Sequence, residues 1–144
     1  EPPYDNHEYY VTFANLIGKY GGGMDISFSK MFWTALKAKE YKLTDLVRWL
    51  NGANRGSGPM WESSRSWDAF EEVPTIDIPI YIMAGRKDYN TPLYLAQAYY
   101  DNLIASNDKS FIIFEESAHT PFFKETAKFI ESIKKIKSNV LLSE

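Results

Sequence analysis

The chain of 144 residues carries a formal net charge of −3 and no cysteine. The charge argues against a nucleic-acid partner, and the lack of cysteine excludes disulfides, thiolate catalysis and Cys-type zinc sites. Hydrophobic residues make up 44% and charged residues 24%, which indicates a globular chain of one ordinary domain or two small ones. No apolar run approaches membrane-spanning length, so we expect no membrane partner. The absence of cysteine is compatible with a reducing cytoplasm, where we expect the chain to be located.

The first 75 residues show helical spacing of apolar side chains and no convincing strand. Asp5 with Glu8 resembles a capping box, and Gly21-Gly22-Gly23 ends the helix that it opens. The glycines and Pro59 between Asn51 and Trp61 predict a break of irregular turns. The four predicted helices cover residues 5–20, 29–39, 44–51 and 61–67.

A helical layer of this size would bury little of its own aromatic surface, so we expect it to pack on something larger, as a cap. Its four tryptophans either line the roof of a pocket or pack in a core. They are Trp33, Trp49, Trp61 and Trp67. Glu62 could bind a substrate amine, and we interpret His7 as a solvated surface residue. No spacing of His, Asp and Glu predicts a metal site, and no pattern predicts a cofactor.

Two short apolar runs, Ile80–Ala84 and Ser110–Phe114, predict strands buried on both faces of a parallel sheet. Between them, the segment from Pro92 to about Ala105 has helical spacing and provides the crossover that a parallel pair needs. A final helix is predicted from Pro121 to about Ile136, with residues 140–142 as a packed turn or a frayed tail. The predicted fold class is α/β: a helical segment followed by a βαβα unit.

The two predicted strands end in matching tails. Asp88 lies four residues beyond Ala84, His119 lies five beyond Phe114, and each is followed by a Thr-Pro pair that suits a helix start. Carboxyl ends of neighbouring parallel strands meet at one edge of the sheet, so the two side chains should lie close together. A carboxylate there can orient an imidazole, which is the Asp–His half of a catalytic triad. Alone, each residue has a simpler reading, as a turn or cap aspartate and as a loop histidine.

The strings PIYIMAGRKDYNTP and FEESAHTPFFKE resemble the acid loop and the histidine loop of α/β-hydrolases. The stretch PPYDNHEYY…KYGGG further resembles hydrolases related to prolyl aminopeptidases. The resemblance implies that Asp88 is the triad acid and His119 the general base. It also implies a helical cap in residues 1–75 and the C-terminal part of the hydrolase core in residues 76–144.

The chain lacks the G-x-S-x-G motif of such enzymes. Gly56-Ser57-Gly58 is the nearest string, and it has neither the preceding strand nor the spacing of a nucleophile elbow. We therefore expect a serine-type hydrolase whose nucleophile and oxyanion hole lie in a missing N-terminal half, so that this chain alone is inactive. The full protein would act on a small molecule or short peptide, and the isolated chain would self-associate. The alternative hypothesis is a non-catalytic interaction module.

Overall fold

A computed structural model describes residues 7–64 and 66–142, without the side chains of Ala53, Asn54, Ser57, Glu62 and Leu142. The described residues form seven helices and four strands, which confirms the predicted α/β class. The helices are α1 (His7–Lys19), α2 (Phe28–Lys37), α3 (Leu43–Ser64), α4 (Ala69–Glu72), α5 (Leu93–Asn102), α6 (Pro121–Lys124) and α7 (Thr126–Leu142). The strands are β1 (Thr75–Ile76), β2 (Ile80–Gly85), β3 (Ile104–Ala105) and β4 (Lys109–Phe114).

The chain divides into two compact units. The first comprises the residues up to Leu16 together with Ile26–Trp67, and the second comprises Ile17–Asp25 together with the chain from Asp68 onward. A nine-residue segment at the end of α1 and beyond it thus belongs with the strands, although it lies among helices in the sequence. The predicted division at residue 75 into a cap and a hydrolase core stays a prediction. Over the described parts of the chain, no helix is long and apolar enough to cross a membrane.

The first unit is helical, as predicted, but its third helix is longer than expected. The predicted break after Asn51 is wrong, because α3 continues through Gly52, Gly56 and Pro59 as far as Ser64. None of these glycines has a positive φ, so the backbone can stay right-handed through them. The second half of α3 is held by packing: the Trp61 ring lies 4.7 Å from that of Tyr10. Tertiary contacts here override weak helix propensity.

Three further expectations concern the start of α1 and two side chains. Asp5 and the capping box that it would form lie outside the described residues, as does the side chain of Glu62. His7 is half-buried rather than solvated, with its ring centroid 6.0 Å from that of Trp61. The aromatic ring of Trp61 therefore packs inside the first unit, whereas Trp33 is 61% exposed.

The second unit contains the predicted parallel pair. β2 and β4 pair from Ile80↔Lys109 to Gly85↔Phe114, and α5 is the crossover between them. Most residues of both strands are half-buried rather than buried on both faces, and full burial begins only at Ala84, Gly85 and Phe114. The core of this unit therefore sits at the carboxyl ends of the strands, next to the loops that follow them.

The crossover ends earlier than the periodicity predicts. α5 stops at Asn102, and Ile104–Ala105 forms strand β3, which pairs in parallel with β1. The backbone turns extended at Leu103, and the Ile104 N–H donates to the Pro74 carbonyl at 2.9 Å. A pairing partner about thirty residues away thus decides the conformation of Ile104, which helical spacing alone could not reveal.

The C-terminal helix is split and extends further than predicted. A short α6 ends at Lys124, and α7 runs past Ile136 to Leu142. Residues 140–142 belong to the helix, so neither the packed turn nor the frayed tail describes them. The break falls at Glu125, whose carboxylate turns back to Ser117 and accepts a 2.6 Å hydrogen bond from its hydroxyl.

Candidate active site

The loop after β2, from Arg86 to Thr91, is folded around the carboxylate of Asp88. This residue is only 7% exposed. Its Oδ1 accepts hydrogen bonds from the backbone N–H groups of Asn90 at 2.8 Å and Thr91 at 3.0 Å, and its Oδ2 accepts one from the Thr91 hydroxyl at 2.7 Å. Asp88 is therefore a turn residue that makes the acid loop (residues 86–91) rigid.

The same carboxylate also contacts His119. Oδ2 of Asp88 lies 2.9 Å from Nδ1 of His119, so the two side chains are close together, as the matched strand ends predict. An ionised carboxylate only accepts hydrogen bonds, so the proton of a neutral ring sits on Nδ1 and Nε2 carries the lone pair. The side chain of His119 is about one third exposed (35%), whereas that of Asp88 is buried. The catalytic roles assigned to these two residues stay predictions.

A glycine lets the histidine loop (residues 115–120) approach the end of β2. A Cβ atom at Gly85 would lie 1.9 Å from the carbonyl oxygen of Ala118 and 2.5 Å from that of Ser117. These are backbone atoms, so no side-chain rotation could relieve the overlap. Gly85 is therefore required for the two loops to meet.

The histidine loop is held by a third segment, residues 21–25, whose glycine run predicts only the end of a helix. The carboxylate of Asp25 accepts hydrogen bonds from the N–H groups of Ala118, at 2.9 and 3.0 Å, and Thr120, at 3.0 Å. In return, the Asp25 N–H donates to the Thr120 hydroxyl at 2.8 Å. The His119 N–H donates to the carbonyl of Gly23 at 3.0 Å. The backbone on both sides of His119 is thus fixed from about 95 residues away.

The glycine run ahead of Asp25 lets this segment come close to the acid loop. Gly21 has a φ of +80°, which L side chains rarely adopt. The Gly22 carbonyl accepts the N–H of Tyr89 at 2.9 Å, and a Cβ at Gly22 would lie 2.4 Å from the Tyr89 ring. We name residues 21–25 the glycine brace. The signal in the sequence was the glycine run followed by an acidic residue, but its partners could not be inferred.

Two ion pairs join the acid and histidine loops at the surface. Arg86 binds Glu115 through both Nε and Nη2, and Lys87 binds Glu116 at 2.6 Å. The hydrogen bond from Arg86 holds the pKa of Glu115 below its ordinary value, and the hydrogen bond from Lys87 does the same for the pKa of Glu116. Both pairs are exposed, so water and salt screen them.

The arrangement supports proton transfer at one nitrogen of His119. A buried, fully hydrogen-bonded carboxylate fixes the ring and would stabilise its charged form, which is what general-base catalysis requires. Ser57, in the nearest string to a nucleophile motif, lies within α3 and not at a strand-to-helix turn. Over residues 7–64 and 66–142, no group of three or more His, Asp and Glu side chains is placed to hold a metal.

The chain is similar to a probable aminopeptidase, YbaC, of Bacillus subtilis (strain 168). The two are 30% identical over 98 residues, which is 68% of this chain and 30% of the relative. The chain therefore spans about a third of the length of this relative. The similarity indicates a hydrolase-like relationship. No protein-family model matches the chain, and no solved structure matches it.

Proposed function

We propose that this chain is the C-terminal part of a serine-type α/β-hydrolase, with Asp88 as the triad acid and His119 as the general base. The 2.9 Å contact between Asp88 Oδ2 and His119 Nδ1 carries the proposal. It is supported by the burial of Asp88 and by the position of both residues just beyond paired parallel strands, where α/β folds place their ligands. The serine nucleophile and the oxyanion hole would come from residues outside these 144.

In this mechanism Nε2 of His119 takes the proton from the serine hydroxyl as the hydroxyl attacks the substrate carbonyl. Asp88 keeps the ring in the Nδ1–H tautomer and stabilises the imidazolium that forms. The imidazolium then gives its proton to the leaving amine or alcohol. Backbone braces on both sides of His119 would keep Nε2 in place through both transfers.

We further propose an aminopeptidase-like substrate, a short peptide or a small amide with a free amino group. The support is the similarity to a probable aminopeptidase, which covers 68% of this chain. Residues 1–75 would be the cap in this proposal.

The test uses the complete open reading frame that contains these residues. Its product should react with a fluorophosphonate probe at one serine in a G-x-S-x-G motif and should hydrolyse aminoacyl amides. Asp88→Asn should lower kcat by about 10⁴-fold, as loss of the orienting carboxylate does in serine proteases, while substrate binding remains. A reading frame that begins close to Glu1, or full activity in Asp88→Asn, would rule the proposal out.

The 144-residue chain supplies the matched control. Without a nucleophile and an oxyanion hole it should hydrolyse neither p-nitrophenyl esters nor aminoacyl amides above background. Turnover that survives Ser57→Ala but is lost in His119→Ala would indicate a different mechanism.

We also propose that the open edges of β2 and β4 pair with other strands. In the part of the chain that the structure describes, β2 and β4 pair only with each other, so each has one unpaired edge. Such edges invite pairing with another chain. The rest of the hydrolase core would cover them in the full protein, and a second copy would do so in the isolated chain. Static light scattering should show a dimer or larger species, and a monomer at micromolar concentration would contradict this.

An interaction module is the second candidate, because the first unit exposes aromatic surface. A cavity of about 190 Å³ is lined there by apolar side chains that include Met31, Phe32 and Trp49. Trp33 and Trp49 are both at least half exposed. Exposed apolar patches often mark interfaces. A reading frame without a nucleophile motif would favour this candidate.

A further inference from the structure

The side chain of Asn90 covers the nitrogen of His119 that points away from Asp88. Asn90 Nδ2 lies 3.2 Å from His119 Nε2. With the ring proton on Nδ1, Nε2 can only accept a hydrogen bond, and the NH₂ group of Asn90 is the donor that the structure places there. Both ring nitrogens of His119 therefore have a partner.

This contact is built into the two loops. The backbone of Asn90 is fixed by the hydrogen bond from its N–H to Asp88 Oδ1 at 2.8 Å. Asn90 and His119 are 29 residues apart, the same separation as between paired residues of β2 and β4. Arg86–Glu115 and Lys87–Glu116 share this separation. Asn90 thus faces His119 at the separation of the paired strands, while Asp88 contacts the same ring from 31 residues away.

We propose that Asn90 is a positioning residue that occupies Nε2 of His119 and must be displaced before this nitrogen can take a proton from a nucleophile. The effect of this contact on catalysis rests on the proposed function, whereas the contact itself is present in the structure of this chain. A neutral imidazole has one lone pair at Nε2, so the Asn90 amide and a serine hydroxyl compete for it.

The same contact distinguishes the two charge states of the ring. The NH₂ group of Asn90 stabilises the neutral ring, but it would face an N–H group once Nε2 is protonated. The amide would then have to rotate by about 180° to present Oδ1 as an acceptor. In the orientation seen in the structure, Asn90 therefore covers Nε2 until a competing donor displaces it.

Carbethoxylation by diethyl pyrocarbonate tests this on the 144-residue chain. The Nε2 lone pair of a neutral histidine attacks a carbonyl of the reagent and gains an ethoxycarbonyl group, while ethyl carbonate leaves and the ring releases its Nδ1 proton to solvent. The chain has two histidines, so mass spectrometry can follow His119 with His7 as the internal reference. Asn90→Ala should raise the rate at His119 about fivefold, since a lost hydrogen bond of typical strength no longer covers Nε2. Asn102→Ala, which removes an exposed amide bonded to the Ala98 carbonyl, should leave the rate unchanged.

Asn90→Asp separates this role from general loosening of the loops. A carboxylate at this position accepts from Nε2–H and keeps the ring protonated, so the rate at His119 should fall below that of the wild type. A merely structural role would shift both variants in the same direction. That outcome, or an unchanged rate in Asn90→Ala, would overturn the proposal.

Long-range ¹H–¹⁵N spectra provide a readout that does not depend on the reagent. In Asn90→Ala the Nε2 resonance of His119 should shift while the Nδ1–H tautomer persists, because Asp88 is untouched. Loss of the tautomer preference would contradict the assignment of Nε2 to Asn90. The two proposals can fail separately. If the Asn90 variants behave as expected but the fluorophosphonate probe does not label the complete gene product, the proposed hydrolase is rejected and the Asn90 contact is retained.

Discussion

The acid loop and the histidine loop follow paired strands and meet at the contact between Asp88 and His119, yet they are held in different ways. Asp88 organises its own loop through hydrogen bonds to residues two and three positions ahead. His119 has no such turn around its side chain. Its backbone is held by Asp25 and Gly23, far away in sequence. One half of the site is therefore a local structure, and the other depends on the assembly of the second unit.

The difference matters because a general base needs both a fixed ring and a fixed backbone. A local turn such as that of Asp88 can form early and independently of the rest of the unit. The position of His119 should be reached only when the glycine brace docks. Perturbations of distant residues should therefore affect His119 more than Asp88.

The largest effect is expected from Gly85→Ala, which attacks the point where both loops meet. The added Cβ overlaps the backbone carbonyl of Ala118, so the histidine loop must move away. We expect a loss of about 3 kcal/mol in the free energy of unfolding, at the upper end for overpacking because only backbone atoms can yield. Urea denaturation measures it.

Gly18→Ala is the matched control in the same unit. A Cβ at Gly18 meets nothing within 4 Å, so this change in α1 should be neutral or mildly stabilising. If Gly85→Ala lowers the free energy of unfolding no more than Gly18→Ala does, the two loops do not approach each other closely.

Asp25→Ala tests the brace on the histidine loop. It removes the acceptor for the N–H groups of Ala118 and Thr120, which are both buried. Unsatisfied buried donors cost about 1–3 kcal/mol each, and partial access of water at this half-buried aspartate leads us to expect about 2 kcal/mol in total. Hydrogen exchange at residues 118–120 should speed up, while exchange at the amides of Asn90 and Thr91 should change little.

Thr91→Val is the corresponding change in the acid loop. It removes one hydroxyl bond to Asp88 but leaves the two backbone bonds, so we expect a cost of about 1 kcal/mol. If Thr91→Val lowered the free energy of unfolding more than Asp25→Ala, the acid loop and not the histidine loop would be the more dependent on its side-chain hydrogen bonds.

The smallest effect concerns the ion pairs that join the loops. Because the folded-state pKa values of Glu115 and Glu116 are lowered, the stability that these pairs add is present above the ordinary carboxyl pKa of about 4.3. It is lost as the pH falls through the lower, folded-state values. The pH dependence of unfolding should therefore be flatter in Glu115→Gln/Glu116→Gln than in the wild type below about pH 5. The difference should shrink in 1 M salt, where the Debye length is about 3 Å. A salt-independent difference would mean that these carboxylates act by another route.

The contrast between local and long-range contacts also explains which parts of the site the sequence could predict. Strand ends, register and spacing place Asp88 and His119 at one edge, and those are local or pairwise features that a sequence shows. The brace could not be predicted, because nothing in Gly21-Gly22-Gly23 and Asp25 specifies a partner near residue 119. The helix through Pro59 and the strand at Ile104 were missed for a similar reason. In each, packing or pairing with a remote segment outweighs what the local residues favour.

The shared separation of 29 residues has a consequence for which changes in chain length the site can survive. The cross-loop pairs Arg86–Glu115, Lys87–Glu116 and Asn90–His119 keep the separation of the paired strands, whereas Asp88 reaches His119 from 31 residues away. An inserted or deleted residue within 86–90 or 115–119 would shift the side chains of Asn90 and His119 relative to each other and break their contact. The crossover is free of that constraint, since the exposed turn around Ser106 and Asn107 lies outside the β2–β4 pairing. An insertion in that turn would break the hydrogen bonds from the Ser106 hydroxyl and the Asn107 amide to Asp77, but it would leave the residues that carry the dyad in register.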